Sequence, residues 1–146
     1  PEVVRNSMWE ALAWRSGAQM AHLRTFALSE GNAYQYLEPE ADLVTPNKTA
    51  ETQGNEGWAY CARTPGKRLF MLYWENRYAE LTAPQSTLRG VLANRTYHAQ
   101  WFDPRNGAWH DAGTLASDDW CRIHLPPLPS SADWAMKLAL EDTGAD

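Results

Sequence analysis

Residues 97–111 read YHAQWFDPRNGAWHD, and this stretch decides the fold. Tyr97, Ala99 and Trp101 alternate with His98, Gln100 and Phe102, the period of two that marks a strand. Asp103-Pro104-Arg105-Asn106-Gly107 then breaks the pattern. Proline holds φ at about −65° and suits the first central position of a turn. Arg105 follows in the helical region, and Gly107 supplies the positive φ that returns the chain as a second strand, Ala108–Asp111. Asp103 accepts backbone N–H groups across the turn. This hairpin is expected to turn Trp101 inward and to hold Trp109 near the turn.

The same period extends to both sides. Trp58–Arg63, Arg68–Trp74, Tyr78–Leu81, Trp120–Leu125 and Trp134–Leu140 all read as strands. Thr64-Pro65-Gly66-Lys67 is the turn between the first two. Arg68–Trp74 is apolar on both faces and belongs in the middle of a sheet. Cys121, Ile123 and Leu125 share one apolar face, opposite Trp120, Arg122 and His124. Trp134, Met136, Leu138 and Leu140 share another, opposite Lys137. Pro126–Pro129 cannot sit in a central strand and reads as an extended connection. The expected fold is mainly β: an antiparallel β-sandwich of about seven strands, preceded by an N-terminal helical segment.

That helical segment covers residues 1–30. Met8, Leu12, Met20, Leu23 and Phe26 recur at three- and four-residue spacing, and this stripe is expected to be buried. Asn6 or Ser7 is the expected cap, with Glu10 at capping-box distance from Ser7. Gly17 marks a break into two short helices near Arg15–Gly17. Residues 31–56, with Gly31, Pro39, Pro46 and Gly54, read as a connecting loop. Residues 57–146 form the sandwich domain.

Composition narrows the function. The chain has 146 residues and a net charge of −5, so a broad electrostatic grip on nucleic acid is not expected. No stretch approaches the roughly 18 apolar residues of a membrane helix, so no membrane partner is expected either. The start at Pro1, without Met, reads as processed or truncated. Two cysteines, Cys61 and Cys121, are too few for a disulfide scaffold. They read either as a disulfide between sheets or, more readily, as two small buried thiols.

Candidate chemistry is sparse. His98 and His110 approach each other across the hairpin as a surface pair without a third ligand, so no metal site is expected. No Gly-x-Ser-x-Gly elbow and no glycine-rich phosphate loop occur, and no cofactor is expected. Glu38, Glu40 and Asp42 cluster around Pro39, and a glycosidase needs two opposed carboxyls on a rigid frame. Solvated loop charge is the simpler reading. Asp118 and Asp119 read as turn caps. The eight tryptophans, at 9, 14, 58, 74, 101, 109, 120 and 134, suit core packing in most cases, best at Trp58, Trp74 and Trp134. Exposed rings would stack on sugars. Trp109, Tyr78 and Trp120 are the candidates for carbohydrate contact, and no catalytic residue is assigned.

Order and spacing of several motifs resemble one family. Trp9-Glu10-Ala11-Leu12, Ser16-Gly17-Ala18-Gln19-Met20 and Tyr36-Leu37-Glu38-Pro39 are similar to the end of the (β/α)₈ barrel of apiosidase-like glycoside hydrolases. Ser16 stands where proline is usual there, and Glu40 stands near the usual aspartate. Ala59–Arg63, the Tyr97–Gly107 stretch, and Leu125-Pro126 with Pro129 and Asp133-Trp134 resemble the C-terminal β-sandwich of the same proteins, labelled a collagen-binding domain. Nothing in these residues argues for collagen.

The resemblance implies that the catalytic carboxylates lie in a barrel portion this chain does not contain. It also implies a bacterial, secreted or periplasmic setting. Three readings compete: an accessory portion bracing a barrel or contacting carbohydrate, a free-standing carbohydrate-binding module, and a small interaction or oligomerisation protein. The helical segment needs a partner surface, either the barrel or a second copy of the chain.

Overall fold

A computed structural model describes Glu10, residues 13–49, Gly54 and residues 56–141. Among the described residues, nine strands build two antiparallel sheets: β1 Glu38–Pro39, β2 Val44–Thr45, β3 Ala59–Arg63, β4 Leu69–Trp74, β5 Thr87–Arg89, β6 Thr96–Asp103, β7 Ala108–Ala116, β8 Arg122–His124 and β9 Trp134–Leu140. The larger sheet runs β1-β3-β4-β9-β6-β7, and the smaller runs β2-β5-β8. The fold is therefore mainly β with the expected N-terminal helix.

The core forms between the sheets. Val44, Leu88 and Ile123 project from the small sheet toward Phe70, Leu72, Trp74, Tyr97, Ala99, Trp101, Met136 and Leu138 of the large one. These positions follow the two-residue period, which places every second side chain on the inner face. β4 pairs on one side with β3 and on the other with β9. Its uninterrupted apolar sequence fits that central place, because both of its faces are covered.

The 103–107 turn closes as its sequence requires. Gly107 has φ +75° and its N–H donates to the Asp103 carbonyl at 2.8 Å. Phe102 then faces Trp109 and Trp101 faces His110 across the ladder, and Trp101 is buried in the core. The ladder slips at Ala99/Gln100, and Gly113 has φ +78°. These irregularities twist the edge strand β7 away from a flat, self-pairing form.

Two readings change, and the simpler reading of the cysteines stands. Tyr78–Leu81 is one turn of helix. Four alternating residues cannot separate a strand from such a turn, and here Arg77 enters it at φ +63° after its N–H has bonded the Ser131 carbonyl. Residues 38–45, read as loop, supply β1 to the large sheet and β2 to the small one, joined by a 3₁₀ turn at Ala41–Leu43. Cys61 and Cys121 are free thiols, the first buried and the second half-buried; burial pushes the Cys61 thiol up to about 12.

The helix spans Arg15–Ala27 without a break at Gly17. It ends where Leu28 and Ser29 donate back to Arg24 and Phe26 and Gly31 takes φ +58°. Arg24 in its last turn suits the negative end of the helix dipole. Met8, Leu12 and the caps at Asn6 and Ser7 lie outside the described residues. Among those described, no helix is long and apolar enough to cross a membrane.

Candidate functional site

The outer face of the large sheet, away from the core, is where the helix lands. Phe26 packs with its ring centroid 5.2 Å from Phe102 and 5.8 Å from Trp109, and those two lie 4.8 Å apart. Lys137, on the outer face of β9, sits with Nζ 4.8 Å over the Trp109 ring. It is almost fully buried and bonds Glu30 Oε1 at 2.7 Å. A lysine ammonium on a covered sheet face needs a counter-ion and a ring; Glu30, just past the helix, supplies the charge and Trp109 the ring. Gly107 completes the contact, because His22 occupies the space a Cβ there would take.

This arrangement corrects the expected helix stripe. Phe26 and His22 face the sheet, whereas Met20 and Leu23 are 60% and 56% exposed and Trp14 is 49% exposed. A groove of about 440 Å³ runs beside them, lined by Gln19, Met20, Leu23, Phe26, Tyr73 and Phe102 among others. Tyr73 is half-buried, and burial first, then Asp133, pushes its hydroxyl pKa up.

The three carbohydrate candidates have different fates. Trp109 is half-buried beneath Phe26 and Lys137, so its ring serves the helix contact. Tyr78 is fully buried and its hydroxyl donates to the Pro46 carbonyl, so it has no free ring face. Trp120 is 77% exposed.

The carboxylates act mainly as structural acceptors. Glu38 and Glu40 converge on Arg63 at 3.6 and 3.0 Å. Asp118 accepts the backbone N–H groups of Trp120 and Arg122 and the Arg122 guanidinium, each at 2.9 Å, the turn-capping part read from the sequence. His98 does not sit opposite His110; its Nε2 lies 2.8 Å from Asp111, and His110 stacks edge-on to Trp134. Among the described residues no group of three or more His, Cys, Asp or Glu is placed to hold a metal ion.

Asp103 is the buried charge of the turn. Its Oδ1 takes the Arg105 backbone N–H at 2.9 Å and the guanidinium Nε at 2.8 Å, while that guanidinium lies 5.2 Å over the Trp134 ring. Burial alone would raise the carboxyl, but the Arg105 bonds outweigh it and hold Asp103 below the usual carboxylate range. A folded-state pKa depressed in this way contributes stability above the unfolded value of about 4, lost as pH falls through the folded value. Urea midpoints should therefore fall between pH 7 and pH 3 more steeply in the wild type than in Asp103→Asn, which starts lower at pH 7. Parallel pH profiles would remove Asp103 from the acid sensitivity.

Comparison with known proteins adds identity to this geometry. The family model described as "Putative collagen-binding domain of a collagenase" matches residues 39–139, more than half of the chain. No curated protein matches the sequence. A solved structure described as a glycoside hydrolase is similar with TM-score 0.65 and 14% identity, over 100% of this chain and 31% of that one. A glycoside hydrolase family 5 protein from Bacteroides vulgatus gives TM-score 0.63 and 15% identity, over 97% of this chain and 27% of that one. The chain thus spans less than a third of either protein, and at these identities the likeness shows the fold.

Proposed function

The chain belongs to the collagen-binding-domain family matched over residues 39–139, and on that premise we propose that it is the non-catalytic accessory β-sandwich portion of a glycoside-hydrolase-like protein, bracing the catalytic barrel. One observation carries this reading. The helix Arg15–Ala27 is fixed to the sandwich by Phe26, and by Glu30 just beyond it, yet turns Trp14, Met20 and Leu23 to solvent. Met20 and Leu23, three residues apart and lining one groove, form an exposed apolar face that suits another protein surface. The helix is then a layer between two bodies, one side on the sandwich and the other on the barrel.

The test is the reactivity of Leu23→Cys toward a maleimide, read at that site by peptide mass. In the complete gene product, labelling should be strongly slowed relative to the 146-residue chain. Equal rates in the two proteins would overturn the bracing reading. Protection that grows with the concentration of the short chain would instead point to a second copy on the helix. Contact with carbohydrate is a second reading, favoured by the exposure of Trp120.

A further inference from the structure

We propose that the loop at Ser117–Cys121 is a carbohydrate-binding platform, on which Trp120 stacks against a pyranose ring with equatorial hydroxyls. The inference rests on the second reading above and is independent of the bracing one, because Trp120 belongs to the β7–β8 connection and not to the helix contact.

Trp120 is the most exposed large hydrophobic side chain among the described residues, yet the backbone carrying it is tightly held. Asp118 binds the Trp120 and Arg122 N–H groups with one oxygen and the Arg122 guanidinium with the other. The Asp118 carbonyl accepts the Cys121 N–H at 3.1 Å, and the Cys121 carbonyl accepts from Val91. Cys121 sits at φ +58°, a conformation a cysteine holds when its surroundings impose it. The indole is thus presented from a fixed base, so little backbone freedom is lost when a ligand arrives.

The flanking chemistry fits a polyol. Asn94 Nδ2 bonds Asp119 Oδ1 at 2.9 Å, and both side chains are exposed beside Trp120 in sequence or through that bond. A carboxylate with remaining acceptor capacity and an amide suit adjacent hydroxyls. A ring with equatorial hydroxyls offers a face of axial C–H groups to the indole, an apolar contact with polar edges. An exposed indole could also enter a lipid interface, but a net charge of −5 opposes an anionic membrane surface.

The probes are cellohexaose, xylohexaose and anionic lipid vesicles, added to the ¹⁵N-labelled chain. The Trp120 indole N–H signal, assigned by its loss in Trp120→Phe, should move in a saturable way with at least one of the two oligosaccharides. Trp120→Ala should abolish the response of neighbouring amides, with an unchanged melting temperature, and Trp120→Tyr should retain part of it. No saturable change with either sugar overturns the carbohydrate reading itself. Binding that survives in Trp120→Ala overturns the platform while that reading stands. A response to vesicles alone assigns the ring to a lipid surface and overturns the proposal.

Discussion

Trp74→Ala should lower the stability of this protein by about 3–5 kcal/mol, the usual range for emptying a large aromatic site in a core. Trp74 is fully buried and stands opposite Trp134 where β4 meets β9. Its ring lies 5.4 Å from Trp101, which in turn lies 6.1 Å from Trp134. Three indoles from three different strands therefore fill one end of the sandwich, and Trp74, on a strand paired on both sides, leaves a space that no small shift of β4 closes. Trp74→Phe should cost much less. It keeps an aromatic ring there and removes an indole N–H that is buried without a hydrogen-bond partner. Urea denaturation of both variants gives the comparison, with Trp120→Ala as the exposed control, expected within about 0.5 kcal/mol of wild type. A Trp74→Ala loss below about 1 kcal/mol would be incompatible with a close-packed site.

The strands that carry this core were readable because their side chains follow a local rule. Period two marks Tyr97–Trp101, continuous apolar runs mark Leu69–Trp74 and, broken only by Lys137, Trp134–Leu140, and a proline–glycine turn joins Asp103 to Ala108. The strands not read from sequence, at 38–39, 44–45 and 87–89, contain two or three residues each. So short a segment has no period; it becomes a strand through its partner. Glu38 lies against Arg63 and Val44 against Leu88, and neither pairing is visible in the neighbouring sequence.

The helix contact shows the same boundary between local and long-range information. Spacing alone gave Met20, Leu23 and Phe26 equal claim to the buried side. The choice of Phe26 is made by Phe102 and Trp109, and by the need of Lys137 for Glu30, which is 107 residues away. Among the candidates for ligand contact, aromaticity was legible and exposure was not. Trp109 and Tyr78 are drawn inward by partners from distant segments. Trp120 stays outward on the turn ahead of β8, whose backbone Asp118 caps.

Gly107→Val should be the most damaging change outside the core, because two costs meet at one atom. The backbone holds φ +75° there, a region where a β-branched residue is strained by about 1–3 kcal/mol. A Cβ would also stand 2.5 Å from Nδ1 and 3.3 Å from Cγ of His22. Nδ1 and Cγ belong to the near part of the imidazole, so the ring has to swing away or the helix has to lift. Gly107→Ala carries the same contact with less backbone strain, which separates the two effects. In Gly107→Ala, amide exchange across Arg15–Ala27 should quicken and the melting temperature should fall. Adding His22→Ala should return part of the stability, since the two sites couple directly. Gly107→Val with an unchanged melting temperature would sink the turn assignment. Gly107→Ala and its His22→Ala double variant with strictly additive losses would show that the helix does not rest on the turn. The proposed brace would then rest on Phe26 and the Glu30–Lys137 pair among the contacts of the described residues.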